Sequence, residues 1–261
     1  MEEKKQPQQK KKMPKALEYF QKKDYDKAID EFSRMLELAP DNAEVYNNLG
    51  LCYASKNDSE KAEKYYLKSI ELNPEIPQVY INLTDIYYKE KKFGDAIGLL
   101  TTGVSHMPDN MVLRHYLARV YMEDSRLDLA IDELDKILEV QPENYDAYYD
   151  MARVYFEYGN YEVAIQNFEN VIKYKDDNEW VYYYLGQSYE ANDEIDKAIS
   201  NYLRALTIEN DFAPAYKKLG VLFMARGDNE DAIEYFEDYI KLGIPKEEAD
   251  SINKIIKKLK N

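Results

Sequence analysis

The sequence is poor in the residues that make covalent cross-links, metal sites and membrane spans. Its single cysteine, Cys52, excludes an intrachain disulfide and favours a reducing compartment. Two histidines and one cysteine cannot form a zinc site without several carboxylate ligands. No run of about 18 apolar residues is present, so no segment is predicted to cross a bilayer. Only nine glycines and nine prolines occur in 261 residues, which disfavours a β-rich chain with many tight turns.

The sequence also lacks the short motifs that mark common active sites. It contains no H-E-x-x-H, no G-x-S-x-G and no G-x-x-x-x-G-K-[ST]. Its 50 acidic residues are expected to lie on solvated helix faces, and no pair of them stands out as a general acid and base. We therefore predict that the chain is not an enzyme and that it holds no cofactor and no metal.

Charge is unevenly distributed along the chain. The formal net charge is −15, yet residues 1–15 carry +4 and residues 246–261 carry +2, which leaves −21 on residues 16–245. A body this acidic repels phosphate, so nucleic acid is not expected as a partner. The basic N-terminus has no apolar stretch of the kind that a secretory signal needs. We expect a cytoplasmic protein, and the fourfold excess of Lys over Arg, typical of AT-rich coding sequence, points to a bacterial source.

A period of 34 residues runs through the chain without an insertion, and such a period is typical of repeat proteins. Alanine follows it seven times, at Ala28, Ala62, Ala96, Ala130, Ala164, Ala198 and Ala232. An aromatic row takes the same step at Tyr19, Tyr53, Tyr87, Tyr121, Tyr155, Tyr189 and Phe223. Proline does so at Pro40, Pro74, Pro108 and Pro142.

Within each period the apolar spacing is helical. In the second unit, four apolar or small residues from Tyr46 to Tyr53 are spaced i, i+3, i+4 and i+7, as on one face of a helix. Polar residues 56–59 interrupt the pattern, and their Asn and Asp suit the end of one helix and the cap of the next. A second stripe follows and Pro74 stops it. Each unit is therefore predicted to be two helices that bury their apolar faces by stacking on neighbouring units.

The order of an aromatic, Leu, Gly or Ala, Tyr, Ala, an aromatic and Pro in 34 residues resembles the tetratricopeptide repeat (TPR) family. Seven units are predicted, with starts at residues 9, 43, 77, 111, 145, 179 and 213. The resemblance implies an all-α fold, a right-handed superhelical α-solenoid of helix-turn-helix units. We predict a basic flexible tail over residues 1–13, the TPR array over 14–246 and a C-terminal capping helix over 247–261.

The resemblance also implies a concave groove, lined by the first helix of each pair, that binds a protein or peptide ligand. Tyrosines at the family's packing positions are assigned to the core and set aside. The groove candidates that remain are Asn47, Asn48, Asn82, Asp85, Tyr88, His115, Arg119, Met122, Tyr149, Arg153, Phe156, Tyr183 and Gln187.

Two arginines stand out among these candidates. The chain has only seven arginines, and Arg119 and Arg153 occupy equivalent positions in adjacent repeats. Because Arg can grip a carboxylate with two hydrogen bonds and rings supply apolar contact area, this composition is typical of a binding surface. We predict that repeats 3 to 6 hold a peptide with an acidic residue flanked by apolar anchors. The alternative is that both arginines pair with Asp or Glu of neighbouring helices.

The leading prediction of function is a protein–protein interaction scaffold or adaptor. A second reading is a self-assembling structural protein, because the basic tail could dock in the groove of a neighbouring copy and form a homo-oligomer. Light scattering of the full chain beside a chain starting at Lys15 separates the two. A third reading, a non-catalytic regulatory subunit of an enzyme complex, is not distinguished from the first by the sequence.

Overall fold

A computed structural model describes residues 15–260, and the basic tail predicted over residues 1–13 lies outside this range. The described part is all α-helical, with fifteen helices and no strand. It divides into two compact units, an N-terminal unit up to Arg126 and a C-terminal unit from Leu127 onward. The all-α prediction is thereby confirmed.

The N-terminal unit contains seven helices, in which each helix packs on the next along the chain. They are α1 (Lys15–Gln21), α2 (Tyr25–Leu38), α3 (Ala43–Ser55), α4 (Ser59–Leu72), α5 (Pro77–Lys89), α6 (Phe93–His106) and α7 (Met111–Glu123).

The C-terminal unit contains eight helices packed in the same sequential way. They are α8 (Leu127–Val140), α9 (Tyr145–Glu157), α10 (Tyr161–Tyr174), α11 (Glu179–Ala191), α12 (Ile195–Ile208), α13 (Ala213–Arg226), α14 (Asn229–Lys241) and α15 (Lys246–Leu259).

Helix starts repeat with the period of the sequence. From α3 onward the first helix of each pair begins at the predicted unit start, residues 43, 77, 111, 145, 179 and 213. Asn or Asp caps many of these starts; for example, the Asn42 side chain accepts a hydrogen bond from the Val45 backbone N–H at 3.2 Å. Local signals in the sequence therefore fix the boundaries of the repeat.

The turn inside each repeat uses one residue in the left-handed region. Glycine supplies this residue in two repeats, Gly159 and Gly227. In the other five repeats a side-chain-bearing residue takes the conformation, at Lys23, Asn57, Lys91, Ser125 and Asp193. In three repeats the next residue caps the second helix with its side chain: Asp24 caps α2, Asp58 caps α4 and Asn160 caps α10. The predicted role of the polar residues at 56–59 is confirmed.

The core of each repeat contains the alanine of the 34-residue row and a large side chain on the same helix. All seven alanines of the 34-residue row are fully inaccessible to solvent. Four residues later, each repeat places a large side chain that is at most 2% exposed: Phe32, Tyr66, Leu100, Leu134, Phe168, Tyr202 and Phe236. The thiol of Cys52 is also buried, which raises its pKa to about 11. This cysteine is therefore a small packed residue of the core.

Small residues on the first helices let the large rings of the second helices approach. A Cβ atom added at Gly50, Gly186 or Gly220 would lie 2.5–2.7 Å from a ring carbon of Tyr66, Tyr202 or Phe236. Such distances are too short for any contact between carbon atoms. Glycine at these positions is thus a packing requirement in these three helix pairs.

Helix α6 contains three glycines in two kinds of environment, and two of them allow a matched prediction. A Cβ at Gly98 meets no atom within 4 Å, whereas one at Gly103 would lie 2.8 Å from the buried ring of Tyr80. Gly98→Ala is expected to stabilise the N-terminal unit by about 0.5–1 kcal/mol, since Ala has the higher helix propensity. Gly103→Ala is expected to destabilise it, and urea denaturation of the two variants measures both effects. A stabilising Gly103→Ala would contradict the packing role.

Helix α15 closes the C-terminal unit on one side. It buries Ile252 and Ile256, and its Glu248 carboxylate accepts hydrogen bonds from Lys217 at 2.6 Å and from the Tyr239 hydroxyl at 2.9 Å. Lysines in its last turn face solvent and suit the negative end of the helix dipole.

Candidate functional site

The candidate residues of the N-terminal unit lie along α3, α5 and α7, the first helices of three consecutive repeats. An amide chain connects two of them, because the Asn82 side-chain N–H donates to Asn47 Oδ1 at 3.2 Å. Gln78, one helical turn earlier, donates to Asn82 Oδ1 at 2.8 Å. Asn48 is half-buried. The structure therefore brings together two of the three predicted asparagines, Asn47 and Asn82.

A small pocket between α5 and α7 holds three further candidates. Its volume is about 170 Å³, and its lining consists of Thr84, Asp85, Tyr88, Tyr116, Arg119 and Val120. The pKa of the Asp85 carboxyl is raised because surrounding protein atoms limit its hydration, while the charges of Lys89 and Arg119 act in the opposite direction. The pocket thus brings a carboxylate close to a guanidinium, with two tyrosine rings beside them.

Two other candidates of α7 offer less surface. Met122 is only 9% exposed and belongs to the buried side chains, so it has little area for a ligand. His115 is half-buried. A groove-facing position in the repeat pattern does not guarantee that a side chain is accessible.

The candidate residues of the C-terminal unit lie on α9 and α11. Tyr149 packs edge-on against the rings of Phe168 and Tyr184, with centroids 6.0 and 6.4 Å apart. Phe156 packs in the same way against Tyr161 at 5.5 Å. These aromatic side chains are half-buried, so each combines a packed face with some accessible area.

Arg153 lies between these two aromatic residues on α9 and differs from the other arginines. Its side chain is half-buried, and it forms no ion pair and no hydrogen bond with any of residues 15–260. Arg34, Arg126, Arg204 and Arg226 each pair with an Asp or Glu in that range. A guanidinium without an anionic partner is a favourable place for a carboxylate to bind.

Helix α11 adds a polar pair and an ion-paired network. The Gln187 side chain donates to the Tyr183 hydroxyl at 3.3 Å, and burial raises the pKa of that hydroxyl. Glu190 accepts hydrogen bonds from the Tyr202 hydroxyl at 2.7 Å and from Lys218 at 2.9 Å. The network connects α11, α12 and α13, and the positive charge of Lys218 balances the negative charge of Glu190.

The single tryptophan stands at the wall of a second pocket. This pocket, of about 210 Å³, includes Tyr145, Tyr149, Lys175 and Trp180 in its lining. The Trp180 ring is 41% exposed and packs edge-on against Phe212, with centroids 4.8 Å apart.

Sequence reasoning missed Thr84 and Tyr116, although both line the pocket between α5 and α7. Thr84 stands in the row of small residues that also holds Gly50 and Gly186, and its hydroxyl is the signal that could have drawn attention to it.

Family comparisons agree with the geometry of the helix pairs. Models described as tetratricopeptide repeat or TPR repeat match residues 16–57, 43–76, 87–142, 121–166, 152–193 and 183–247. The chain belongs to the tetratricopeptide repeat family. None of the matching TPR models describes an enzyme, and no curated protein matches the chain by sequence.

Solved TPR structures share the fold. The C-terminal part of a TPR repeat-containing protein from Cytophaga hutchinsonii gives a TM-score of 0.75 at 15% identity, over 91% of this chain and 98% of that one. MamA gives 0.58 at 25% identity, over 61% of this chain and 94% of its own. YrrB, described as a TPR protein with an unusual peptide-binding site, gives 0.59 at 21% identity, over 70% of this chain and 95% of its own.

Residues 15–260 contain no cluster of three or more His, Cys, Asp or Glu side chains arranged for a metal ion. Over that stretch, no helix has both the length and the apolar character needed to cross a bilayer.

Proposed function

We propose that this TPR protein is a non-catalytic scaffold that binds a peptide segment of a partner protein along its first helices. The observation that carries the proposal is the half-buried side chain of Arg153, whose guanidinium has no ion-pair or hydrogen-bond partner among residues 15–260. Peptide binding by a protein of the same fold, YrrB, supports the choice of ligand class.

The chemistry around Arg153 defines the expected ligand. A carboxylate of the peptide would accept two parallel hydrogen bonds from the guanidinium, and the accessible parts of Tyr149 and Phe156 would contact apolar side chains on either side of it. The ligand is therefore a segment with one Asp or Glu flanked by apolar residues. Arg119 is a weaker candidate for the same role, since it already lies close to the Asp85 carboxylate.

Charge reversal at Arg153 tests the proposal. Peptides are first selected from a displayed random library with the wild-type chain, and their affinities are then measured by fluorescence anisotropy. Arg153→Glu is expected to weaken binding by about 10-fold to 100-fold, the range for loss of a charge-assisted hydrogen-bonded pair. Arg153→Lys keeps the charge but not the bidentate geometry, so its peptide affinity is expected to lie between those of the wild type and Arg153→Glu.

Arg204→Glu is the matched control, because it makes the same charge change on an exposed residue of α12 in the same unit. Its affinity is expected to stay within about twofold of wild type, because an exposed charge off the binding face is largely screened. Selected peptides without an acidic residue, or equal losses in Arg153→Glu and Arg204→Glu, would contradict the assignment.

A further inference from the structure

Thr84 carries a polar atom that the fold does not use. The residue is 2% exposed, and its hydroxyl has no hydrogen-bond partner among residues 15–260. Other buried hydroxyls in the chain are paired: Ser188 donates to the Tyr184 carbonyl at 2.8 Å, and Ser69 donates to the Ala43 carbonyl at 2.7 Å. An unpaired buried hydroxyl lowers stability, so its presence calls for a reason outside helix packing.

Comparison among the repeats shows that packing does not require this hydroxyl. The equivalent positions hold small residues without a polar atom, Ala16, Gly50, Ala118, Ala152, Gly186 and Gly220. In the third repeat Leu100 stands where Tyr66 or Phe236 stands in others, and the smaller side chain leaves room for a β-branched residue. Valine would fill that room equally well without an unpaired oxygen. Packing at this position therefore accounts for the volume of the Thr84 side chain but not for its hydroxyl group.

Thr84 lines the pocket between α5 and α7, and the lining of this pocket also includes one negative and one positive side chain. Asp85 presents a hydrogen-bond acceptor and Arg119 presents donors, with Tyr88 and Tyr116 beside them. A carboxylate in this pocket would meet the negative charge of Asp85, and an ammonium would meet the positive charge of Arg119. A neutral group that both donates and accepts avoids both repulsions.

We propose that the pocket between α5 and α7 binds the primary carboxamide of an Asn or Gln side chain in a peptide ligand. The carboxamide oxygen accepts hydrogen bonds from the Thr84 hydroxyl and Arg119, and its NH₂ group donates to Asp85. The pocket volume of about 170 Å³ is what about five or six water molecules occupy in liquid water, and this is enough space for a carboxamide. The assignment rests on the proposed function because the carboxamide belongs to a bound peptide, but it involves a different unit from Arg153.

The test uses three small probes with the full chain: N-acetyl-asparagine methylamide and its aspartate and leucine counterparts. Line broadening of the probe's acetyl resonance gives the affinity, and the methyl shift of isotope-labelled Thr84 reports the location. The asparagine probe is expected to bind saturably and about tenfold more tightly than either counterpart, in line with the cost of leaving polar groups unpaired.

Thr84→Val removes the hydroxyl without changing the shape of the side chain. It is expected to weaken the asparagine probe about tenfold and, since the unpaired oxygen is gone, to raise the thermal midpoint of the free protein by about 3–8 °C. Equal binding of the three probes, no binding of the asparagine probe at 50 mM, or unchanged affinity in Thr84→Val would each overturn the proposal.

Arg153→Glu separates this proposal from the function proposed above. The variant is expected to bind the asparagine probe with unchanged affinity while losing the acidic peptides. If acidic peptides bind through Arg153 but the probe does not bind, the carboxamide pocket is wrong and the scaffold function stands. If the probe binds but no acidic peptide does, the pocket stands and the role of Arg153 is wrong.

Discussion

Replacing Tyr202 with alanine is expected to lower the free energy of unfolding of the C-terminal unit by about 3–5 kcal/mol, the range for truncating a large buried ring. The side chain is fully buried and packs on Gly186, where a Cβ would lie 2.7 Å from the ring. Its hydroxyl donates to Glu190, which Lys218 of the next repeat also contacts. The substitution therefore removes the packing within one repeat and a hydrogen bond of the network that reaches the next.

Two further variants divide this loss into its parts. Tyr202→Phe keeps the ring and removes only the hydroxyl, so we expect a loss of about 1–2 kcal/mol because Glu190 keeps its contact with Lys218. Tyr174→Ala, at a 36% exposed ring of the same unit, is expected to cost no more than about 1 kcal/mol. Hydrogen exchange of amides in α11 to α13 measures the effects locally. A Tyr202→Ala protein as stable as Tyr174→Ala would show that the ring does not hold the helix pair.

Gly220→Thr is expected to destabilise the C-terminal unit by about 3 kcal/mol through overpacking. A Cβ at this position would lie 2.6 Å from the fully buried ring of Phe236, and neither the helix backbone nor the ring can move without disturbing other contacts. The third repeat tolerates threonine at the equivalent position, Thr84, because Leu100 replaces the ring there.

Combining Gly220→Thr with Phe236→Leu reproduces the pair of the third repeat and tests this explanation. Phe236→Leu alone leaves a small cavity and is expected to cost about 1–2 kcal/mol. The double variant is expected to be more stable than the sum of the two single losses predicts, by about 1–3 kcal/mol. Denaturant unfolding of the four proteins completes the cycle, and strictly additive losses would show that the two positions are independent.

The repeat and its boundaries could be predicted from the sequence because they depend on local, periodic signals. Asn42 and Asp58 each cap a helix by accepting a hydrogen bond from the backbone N–H three residues later. Ala62 and its equivalents in the other six repeats are all fully buried. Each unit repeats the same local contacts, so one period of 34 residues contains the information for all of them.

The candidate site was less predictable because it depends on contacts between repeats. Arg119 and Arg153 are equivalent in the repeat pattern, yet Asp85 lies near the first, while the second has no ion pair within the described residues. Which carboxylate lies near which arginine depends on how neighbouring repeats pack, and the 34-residue pattern does not specify this. The burial of Met122 could not be predicted for the same reason, because the repeat pattern only placed it among the groove candidates.

The position of Trp180 gives the chain a built-in optical reporter of one unit. As the only tryptophan, it makes the C-terminal unit the sole source of emission under excitation at wavelengths where tyrosine does not absorb. Trp180 is partly exposed at the wall of a pocket. Its emission wavelength therefore changes when this unit unfolds and when a ligand displaces water from the pocket. Events confined to residues before 127 would pass unseen in this signal, so tryptophan emission follows the C-terminal unit by itself within the full chain.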